Sequence, residues 1–397
     1  MEEVTAVVLE HGQLVKDASG PEGAVHVPEL LLVAAGSKDS GKTSLVERVL
    51  RKFASLGVAA VKVTTVDSGF SGSSKGDYHR FEGAFSLSDE TGTAALASDT
   101  GRMVAAGASR VWWLRVRGGQ LQPALAHLMQ HLEPGQLLVA ESNQLRLCAN
   151  PSVFFMLSGG IPESQWKESA RTTVRWADRV LDLRPPGSLD SVLADISVHN
   201  GGWCLAQPVT GIVLAGGKSR RMGVDKGLLE VKGEPLVVHA ARMLEPWTRQ
   251  VVISARDGER YRFAGLPIVS DERPGEGPLA ALVSAMAVAQ ETCCLSLPCD
   301  VPVLPFGLLQ SLLRQIRFGD AAVPAYDNGM REPLVASFGP TFYRAAKEMV
   351  ARGERTILNV YPEIATRYLM LQRPLVNLNT RAELVRFQAG EVGDDRG

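Results

Sequence analysis

The segment 214–226 places two adjacent glycines beside four cationic side chains. Gly216 and Gly217 follow a short apolar run that predicts a buried strand, so their backbone N–H groups can turn toward phosphates. Side chains that can neutralise a polyphosphate come next: Lys218, Arg220, Arg221 and Lys226. Because these features occur together, the segment predicts a binding site for a nucleoside triphosphate. Another short strand is predicted after it, over 228–231.

Asp300 is a candidate ligand for a magnesium ion. It ends a predicted buried strand, and Pro298 and Pro302 flank it two positions away on either side, which should hold its backbone rigid. A hard cation suits one or two carboxylates together with phosphate oxygens. In nucleotidyl transfer, a phosphate oxygen of the acceptor attacks the α-phosphorus of a nucleoside triphosphate, and pyrophosphate leaves; positioning and charge neutralisation supply most of the acceleration. Asp300, Arg221 and Lys226 are therefore the predicted catalytic residues.

Two further groups of residues are candidate contacts for the acceptor. Asn377 and Asn379 alternate as in a strand, so both would face one side and offer paired hydrogen bonds. Capping of a loop end is the alternative for them. Gly277, Pro278 and Leu279 form a turn that opens a predicted helix, where proline is also common for structural reasons alone.

A second phosphate loop is predicted in the N-terminal half. Residues 36–43 read Gly-Ser-Lys-Asp-Ser-Gly-Lys-Thr, with a predicted strand before them and a predicted helix after them. Backbone N–H groups of such a loop wrap the phosphates, while the lysine reaches the outer phosphates and the threonine holds a magnesium ion. The predicted nucleotide-binding residues here are Gly36, Ser40, Gly41, Lys42, Thr43 and Ser44, with Thr43 also the metal ligand.

The acidic residue that should accompany this loop is not decided by the sequence. Glu141 follows a predicted strand and is the first candidate, and Asp67 is the second. Either carboxylate could instead be a solvated loop residue. Nucleotide binding is thus better supported than hydrolysis.

Size and composition set limits on the class of protein. At 397 residues the chain is long enough for two domains, and 42 basic against 43 acidic residues argue against a nucleic-acid or membrane partner. The absence of a long apolar run or a secretion signal predicts a soluble, cytoplasmic protein. Five cysteines without a CxxC pair disfavour a disulfide framework or a zinc site, so most should be buried apolar residues.

The pattern of strands and helices predicts an α/β fold of two domains: a mostly parallel sheet in the first, and a second alternation of strands and helices in the other. A proline- and glycine-rich stretch at 184–209 predicts the boundary, which gives domains 1–205 and 206–397. Residues 1–27 alternate weakly and predict a small hairpin before the first phosphate loop. In the C-terminal domain, strands are predicted at 211–214, 250–254, 267–270, 294–297 and 320–324.

The C-terminal half resembles the molybdenum cofactor guanylyltransferase family, MobA, over nearly all of 209–390. The resemblance rests on the segment 214–226, Asp271, the turn 277–279, Leu-Pro-Cys-Asp-Val-Pro at 297–302 and Val-Asn-Leu-Asn-Thr at 376–380. It implies a Rossmann-like nucleotidyltransferase sheet, with Asp300 as ligand of Mg²⁺. The residues that it assigns to the guanine nucleotide are Leu214, Ala215, Gly216, Lys226, Ser254, Asp271 and Asp300, and Gly217 adds a backbone amide.

Some of these residues could have an ordinary structural role instead of a nucleotide contact. Asp271 lies in an Asp-Glu-Arg loop where a solvated carboxylate is common, and Lys218 and Arg220 could form a solvated rim. Ser254 stands where the family often has asparagine, so it keeps a hydroxyl but loses an amide.

The N-terminal half resembles the MobB family of P-loop GTP-binding adaptors. The resemblance rests on the loop 36–43, Val-Lys-Val-Thr at 61–64, the stretch from Asp99 to Ala108, and Glu141. It implies a P-loop NTPase-like parallel sheet and makes the whole chain a fusion of adaptor and transferase. The implied partners are GTP and molybdopterin or the molybdenum cofactor, with a molybdenum-insertion protein and apo-molybdoenzymes as further candidates.

Three functions follow from these patterns. The first is transfer of GMP from GTP to molybdopterin, which forms the guanine dinucleotide cofactor and releases pyrophosphate, with the N-terminal domain as an accessory that binds GTP. The second is the same chemistry with another substrate, in a CTP-dependent cytidylyltransferase or a sugar-phosphate nucleotidyltransferase. The third is a GTP-binding scaffold that delivers the cofactor to apoenzymes.

Overall fold

The computed structural model describes residues 7–10, 13–16, 20–21, 23–66, 81–215, 225–270, 277–305 and 307–390. The chain divides into two compact units: Gly20–Leu205 is one, and Ala206–Gly397 together with Met1–Ser19 is the other. Both are α/β units with large sheets that contain parallel pairs, so the predicted α/β class is confirmed. Among the described ranges, no helix combines the length and the apolar character that a bilayer span requires.

An N-terminal hairpin comes first in the chain. Strands β1 (Val7–Glu10) and β2 (Gln13–Lys16) pair in antiparallel fashion, as the alternation in 1–27 predicts. The hairpin is not part of the Gly20–Leu205 unit, however. Strand β1 pairs with a strand near the C-terminus, Thr366–Met370, because that strand offers an unpaired sheet edge. Strands β1 and β2 therefore depart from the predicted domain 1–205.

The Gly20–Leu205 unit is built on a seven-stranded sheet in which all pairs are parallel except the edge pair β5–β6. The sheet order is β5-β6-β4-β7-β3-β8-β9. Its strands, with the small hairpin β10–β11, are β3 (Val25–Ala35), β4 (Ala59–Val66), β5 (Phe85–Asp89), β6 (Val111–Arg117), β7 (Leu138–Glu141), β8 (Ala149–Leu157), β9 (Arg179–Leu181), β10 (Ile196–His199) and β11 (Gly202–Leu205). The helices are α1 (Lys42–Lys52), α2 (Asp99–Ala105), α3 (Leu121–Met129), α4 (Glu168–Thr173) and α5 (Ser188–Asp195).

Strand β3 lies inside this sheet and is apolar on both faces. Alternate residues enter two different apolar clusters: Leu32 and Ala34 pack in one, and Leu31 and Val33 in the other. A strand that is covered on both faces reads as a continuous apolar run, which is why the sequence identifies it. Its carboxyl end delivers the loop 36–41 between the ends of β7 and β8.

The second unit is built on a mixed sheet with the order β16-β15-β12-β17-β19-β18-β20-β1-β2. Its strands are β12 (Gln207–Leu214), the two-residue pair β13 (Glu230–Val231) and β14 (Glu234–Pro235), β15 (Thr248–Ala255), β16 (Ile268–Ser270), β17 (Cys293–Pro298), β18 (Ala321–Ala325), β19 (Ala336–Phe338) and β20 (Thr366–Met370). Its helices are α6 (Leu236–Leu244), α7 (Pro278–Ala287), α8 (Leu308–Gln315), α9 (Pro340–Ala351) and α10 (Arg381–Gln388).

The predicted strands at 211–214, 250–254, 267–270, 294–297 and 320–324 all coincide with strands of this sheet. The strand predicted over 228–231 does not form as such. Lys226–Leu228 is a 3₁₀ turn, and only Glu230–Val231 pairs, in a two-residue ladder with β14. The turn is fixed by Asp225, whose carboxylate accepts from the backbone N–H of Gly227.

Candidate active site

The candidate site of the C-terminal unit lies at the carboxyl ends of β12 and its two neighbours. β12 pairs in parallel with β15 on one side and β17 on the other. The backbone N–H of Ala215 donates to the Ser254 carbonyl at 2.8 Å, and that of Cys299 donates to the Leu214 carbonyl at 3.1 Å. In α/β sheets, ligands bind beyond the carboxyl ends of strands at the point where the connections diverge to both sides. The predicted residues Leu214, Ala215 and Asp300 meet at such an edge.

Lys226 and Asp300 are in direct contact at this edge. The Lys226 Nζ donates to Asp300 Oδ2 at 2.9 Å and to Asn379 Oδ1 at 2.8 Å. The Lys226 and Asp300 side chains retain 19% and 22% of their exposure, so the pair can be reached by a ligand. Three residues predicted from separate stretches of the sequence are thus brought together in one cluster.

Asp225 fixes the position from which Lys226 reaches that cluster. Tyr261 donates its hydroxyl to Asp225 Oδ1 at 2.6 Å, and Arg260 lies 3.7 Å from Asp225 Oδ2. Tyr261 is almost wholly buried, and burial, followed by the hydrogen bond to Asp225, raises its pKa well above the ordinary value. It therefore stays a neutral donor. Tyr261 was not predicted as a site residue, because nothing in the local sequence pattern places it beside Asp225.

Ser254 is not available as a nucleotide contact through its side chain. It is 1% exposed, and its hydroxyl donates to the Ala281 carbonyl at 3.3 Å. The prediction for Ser254 is corrected accordingly: β15 turns this side chain toward helix α7 rather than toward the edge of the sheet.

The turn 277–279 opens helix α7 as predicted, but the three residues differ in what they can contact. Gly277 has φ of 97°, a conformation that favours glycine, and Pro278 occupies the first turn of the helix. The Leu279 side chain is fully buried in the apolar cluster around Ile212. The predicted acceptor contact of Leu279 is therefore corrected, since this side chain belongs to the core.

Asn377 and Asn379 do not act as a strand pair. They lie in the irregular segment before helix α10, and the Asn377 Nδ2 donates to the Leu375 carbonyl within its own loop at 3.2 Å, while Asn379 contacts Lys226. Asn377 lines a cavity of about 310 Å³ with Glu383 and Arg386. The acceptor contact of the two asparagines stays a prediction.

Several predicted residues lie outside the described residues: Gly216, Gly217, Lys218, Arg220, Arg221 and Asp271.

Glu332 is a half-buried carboxylate of this unit that was not predicted as a site residue. The Tyr326 hydroxyl donates to Glu332 Oε1 at 2.8 Å and accepts from the Leu375 N–H at 2.9 Å. Burial raises the pKa of Glu332 above its usual 4.5, and the charge of Asp300 raises it further. The one feature of the sequence that could have pointed to Glu332 is the charged pair Arg331 and Glu332 directly before a proline.

The raised pKa of Glu332 gives a testable dependence of stability on pH. A carboxyl whose pKa is higher in the folded than in the unfolded state contributes stability that is complete below the unfolded pKa and is lost as pH rises through the folded pKa. Glu332→Gln keeps an acceptor for Tyr326 but has no charge to bury. We expect the variant to gain in free energy of unfolding over the wild type as pH rises from acid to neutral. Urea unfolding of both proteins across that range measures the difference, and a constant difference would contradict the assignment.

The residues of the predicted phosphate loop lie between β3 and α1 in the Gly20–Leu205 unit. Gly41 has φ of 89° and directly precedes α1, which begins at Lys42. Ser40 donates its hydroxyl to the Ser37 carbonyl at 2.9 Å, which closes the loop on itself. Burial lowers the pKa of Lys42, against the opposing effect of Glu141. Ser44, the last predicted residue, lies 3.5 Å from Arg102 Nη2.

Thr43 meets two carboxylates at the end of this loop. Its hydroxyl oxygen lies 3.0 Å from Glu141 Oε2 and 3.2 Å from Asp99 Oδ1, and the Lys62 Nζ contacts the other oxygen of Asp99. Glu141 is thus placed where the sequence analysis expects an acidic partner, whereas its alternative, Asp67, lies outside the described residues. Asp99 was not predicted to contact Thr43.

The close packing of the Trp166 ring requires a glycine at position 36. A Cβ atom at this position would lie 2.4 Å from ring carbons of Trp166, so any larger residue would displace the indole. The Gly36 carbonyl also accepts from the Lys167 N–H at 2.9 Å. The segment after β8 therefore packs directly on the loop.

Side-chain oxygens are the donors that both sites offer. No group of three or more His, Cys, Asp or Glu side chains in the described part of the chain is arranged to hold a metal ion. All five cysteines are free, and burial raises the pKa of Cys204, Cys294 and Cys299 to about 12. These thiols are buried apolar residues, as the sequence predicts.

Comparison with known proteins supports the transferase half of the chain. Residues 211–365 match the model of the MobA-like NTP transferase domain. The molybdenum cofactor guanylyltransferase of Shewanella loihica is 38% identical over 157 residues, which cover 38% of this chain and 80% of the relative. That of Serratia proteamaculans is 36% identical over 188 residues, which cover 46% and 95%.

Among solved structures, molybdopterin-guanine dinucleotide biosynthesis protein A from Archaeoglobus fulgidus matches with a TM-score of 0.39 at 21% identity, over 46% of this chain and 97% of that one. Because the chain covers most of the length of relatives that are more than 30% identical to it, it is a nucleotidyltransferase and belongs to the molybdenum cofactor guanylyltransferase family.

Proposed function

We propose that the chain transfers GMP from GTP to molybdopterin and releases pyrophosphate. A phosphate oxygen of the acceptor forms the new bond to the α-phosphorus, and the bond from that phosphorus to the bridging oxygen breaks, so that pyrophosphate leaves with the electron pair. The named activity of the relatives supports the choice of substrates. The observation that carries the proposal is the contact of Lys226 with Asp300 at the carboxyl ends of β12 and β17.

The residues at this edge fit a bound magnesium ion. The Asp300 carboxylate is partly exposed and already forms an ion pair with the Lys226 ammonium group. Carboxylate oxygen is a ligand that Mg²⁺ prefers. Such an ion, when bound through Asp300, would neutralise phosphate charge. Lys226 would supply a second positive charge near the leaving pyrophosphate, and the backbone at Leu214 and Ala215 would lie against the nucleotide.

Pyrophosphate release with each of the four nucleoside triphosphates, with and without molybdopterin, tests the proposal. We expect release with GTP that depends on molybdopterin, together with formation of the dinucleotide. Preference for CTP would instead indicate a cytidylyltransferase, and release that requires a sugar phosphate would indicate the other alternative. Failure of GTP and molybdopterin to react would contradict the proposal.

We propose further that the Gly20–Leu205 unit is a MobB-like adaptor that binds GTP through residues 36–44. Support comes from the loop sequence, from Lys42 at the start of α1 and from the convergence of Thr43 with Glu141. The hydroxyl and carboxylate oxygens fit Mg²⁺ there as well. In this role the unit would act in the cytoplasm and serve a molybdenum-insertion protein or apo-molybdoenzymes as partners.

A further inference from the structure

Two side-chain oxygens of the C-terminal site converge on a single positive charge. The Lys226 Nζ lies 2.9 Å from Asp300 Oδ2 and 2.8 Å from Asn379 Oδ1. A carboxylate and an amide carbonyl that both accept from one ammonium group face the same point. Both are hard oxygen donors of the kind that bind Mg²⁺ or Mn²⁺. The ammonium group thus marks a position that a divalent cation can occupy.

On the basis of the transferase function above, we propose that Asn379 is a metal ligand beside Asp300, and that Lys226 holds the two oxygens together until the metal replaces it. Asn379 then belongs to the nucleotide side of the reaction, not to the acceptor side. The ammonium group, displaced from Asp300 and Asn379, is free to contact the phosphates that arrive with the metal.

The backbone holds these two ligands in a fixed relation before any metal binds. The Leu378 N–H donates to the Asp300 carbonyl at 2.8 Å, which ties the segment before α10 to the end of β17. The N–H of Asn379 and that of Thr380 both donate to Glu383 Oε2, at 2.6 and 2.8 Å. Because Thr380 and Glu383 form a capping box at the start of α10, the helix itself anchors Asn379.

The charges around the cluster suit an exchange of one cation for another. Asp225, the nearest carboxylate along the chain, is engaged by Tyr261, Arg260 and the Gly227 N–H, so it remains with those partners. Asp300 and Lys226 therefore form a nearly neutral pair in the free enzyme. A divalent ion would leave excess positive charge, which a triphosphate can balance.

Asn377 provides a matched control two residues away. It has the same side chain and lies in the same segment, but its amide donates to the Leu375 carbonyl instead of facing Lys226. A role of the segment as a whole would affect both asparagines. A role as metal ligand would affect Asn379 alone.

Binding of Mn²⁺ to the full-length chain, followed by the electron paramagnetic resonance signal of the free ion without nucleotide or acceptor, tests this assignment. The difference in Mn²⁺ binding between the wild type and Asp300→Ala gives the component that belongs to the C-terminal site, because binding by the other unit is the same in both proteins. We expect Asn379→Ala to weaken that component by about tenfold or more. Asn379→Asp should tighten it through the added charge, Lys226→Met should tighten it by removing the competing ammonium group, and Asn377→Ala should leave it unchanged.

The assignment is overturned if Asn379→Ala binds Mn²⁺ like the wild type, if Asn377→Ala weakens binding equally, or if the wild type shows no binding that depends on Asp300. Thermal unfolding of each variant verifies that it is folded. If the alanine variant is unstable, the Mn²⁺ affinity of Asn379→Asp still tests the assignment, since unchanged or weaker binding by that variant would contradict it. Since no acceptor is used, failure of GTP and molybdopterin to react would contradict the proposed function and leave the metal assignment standing.

Discussion

Asp300→Ala is expected to lower the release of pyrophosphate from GTP and molybdopterin by about a thousandfold or more, because a metal ligand contributes several kcal/mol of charge stabilisation. The substitution also removes the carboxylate that holds Lys226 at 2.9 Å, so two positive charges lose their fixed positions at once. Initial rates at saturating GTP, with a coupled pyrophosphate assay, give the measurement.

Asp257→Ala is the matched control for this result. Asp257 is also an aspartate with a cationic partner in the same unit, since Arg260 Nε lies 2.9 Å from its carboxylate, but both side chains are about half exposed. An exposed pair of this kind contributes little to stability. Turnover by Asp300→Ala that equals turnover by Asp257→Ala would refute the role of Asp300.

Lys42→Ala is expected to reduce the number of GTP molecules bound per chain from about two to about one, because the phosphate loop loses the cation that reaches the outer phosphates. The remaining site is the one at Lys226 and Asp300. We expect the affinity at the phosphate loop to fall by about a hundredfold, since charge-assisted hydrogen bonds to phosphate are among the strongest polar contacts. Isothermal titration calorimetry with GTP and Mg²⁺ measures both quantities.

The control for this variant lies in the same loop. Lys38 is exposed, whereas Lys42 begins helix α1 beneath the loop, so Lys38→Ala removes an equal charge from the surface. It should retain both sites. If the wild type binds one GTP, or if Lys42→Ala still binds two, the proposal that the N-terminal unit binds GTP fails.

Contacts between the ends of parallel strands could be predicted from the sequence. Lys226 and Asp300 are 74 positions apart, yet the apolar runs of β12 and β17 identify two buried strands whose carboxyl ends must meet at one edge. The same logic places Glu141 beside Thr43, since β7 and β3 are parallel neighbours. Strand order and direction therefore account for Asp300 and Glu141, whereas Lys226 lies in the turn that Asp225 fixes.

Side-chain orientation and edge pairing could not be predicted in this way. The Ser254 side chain points toward α7, which packs over β15. Tyr261 contacts Asp225, which lies 36 positions away in the sequence. The hairpin β1–β2 pairs with β20, a strand near the opposite end of the sequence. Such contacts depend on tertiary packing, which no local pattern of residue types specifies.

The contact of Trp166 with Gly36 gives the N-terminal unit an intrinsic fluorophore at the proposed phosphate loop. The indole ring is nearly buried, donates its N–H to the Ile161 carbonyl, and packs where a side chain at position 36 would otherwise be. Indole emission depends on the polarity and contacts of the ring, so a ligand that shifts the main chain at Gly36 changes the spectrum. The chain has six tryptophans, so an emission change on addition of nucleotide that is absent from Trp166→Phe would report on occupancy of this loop.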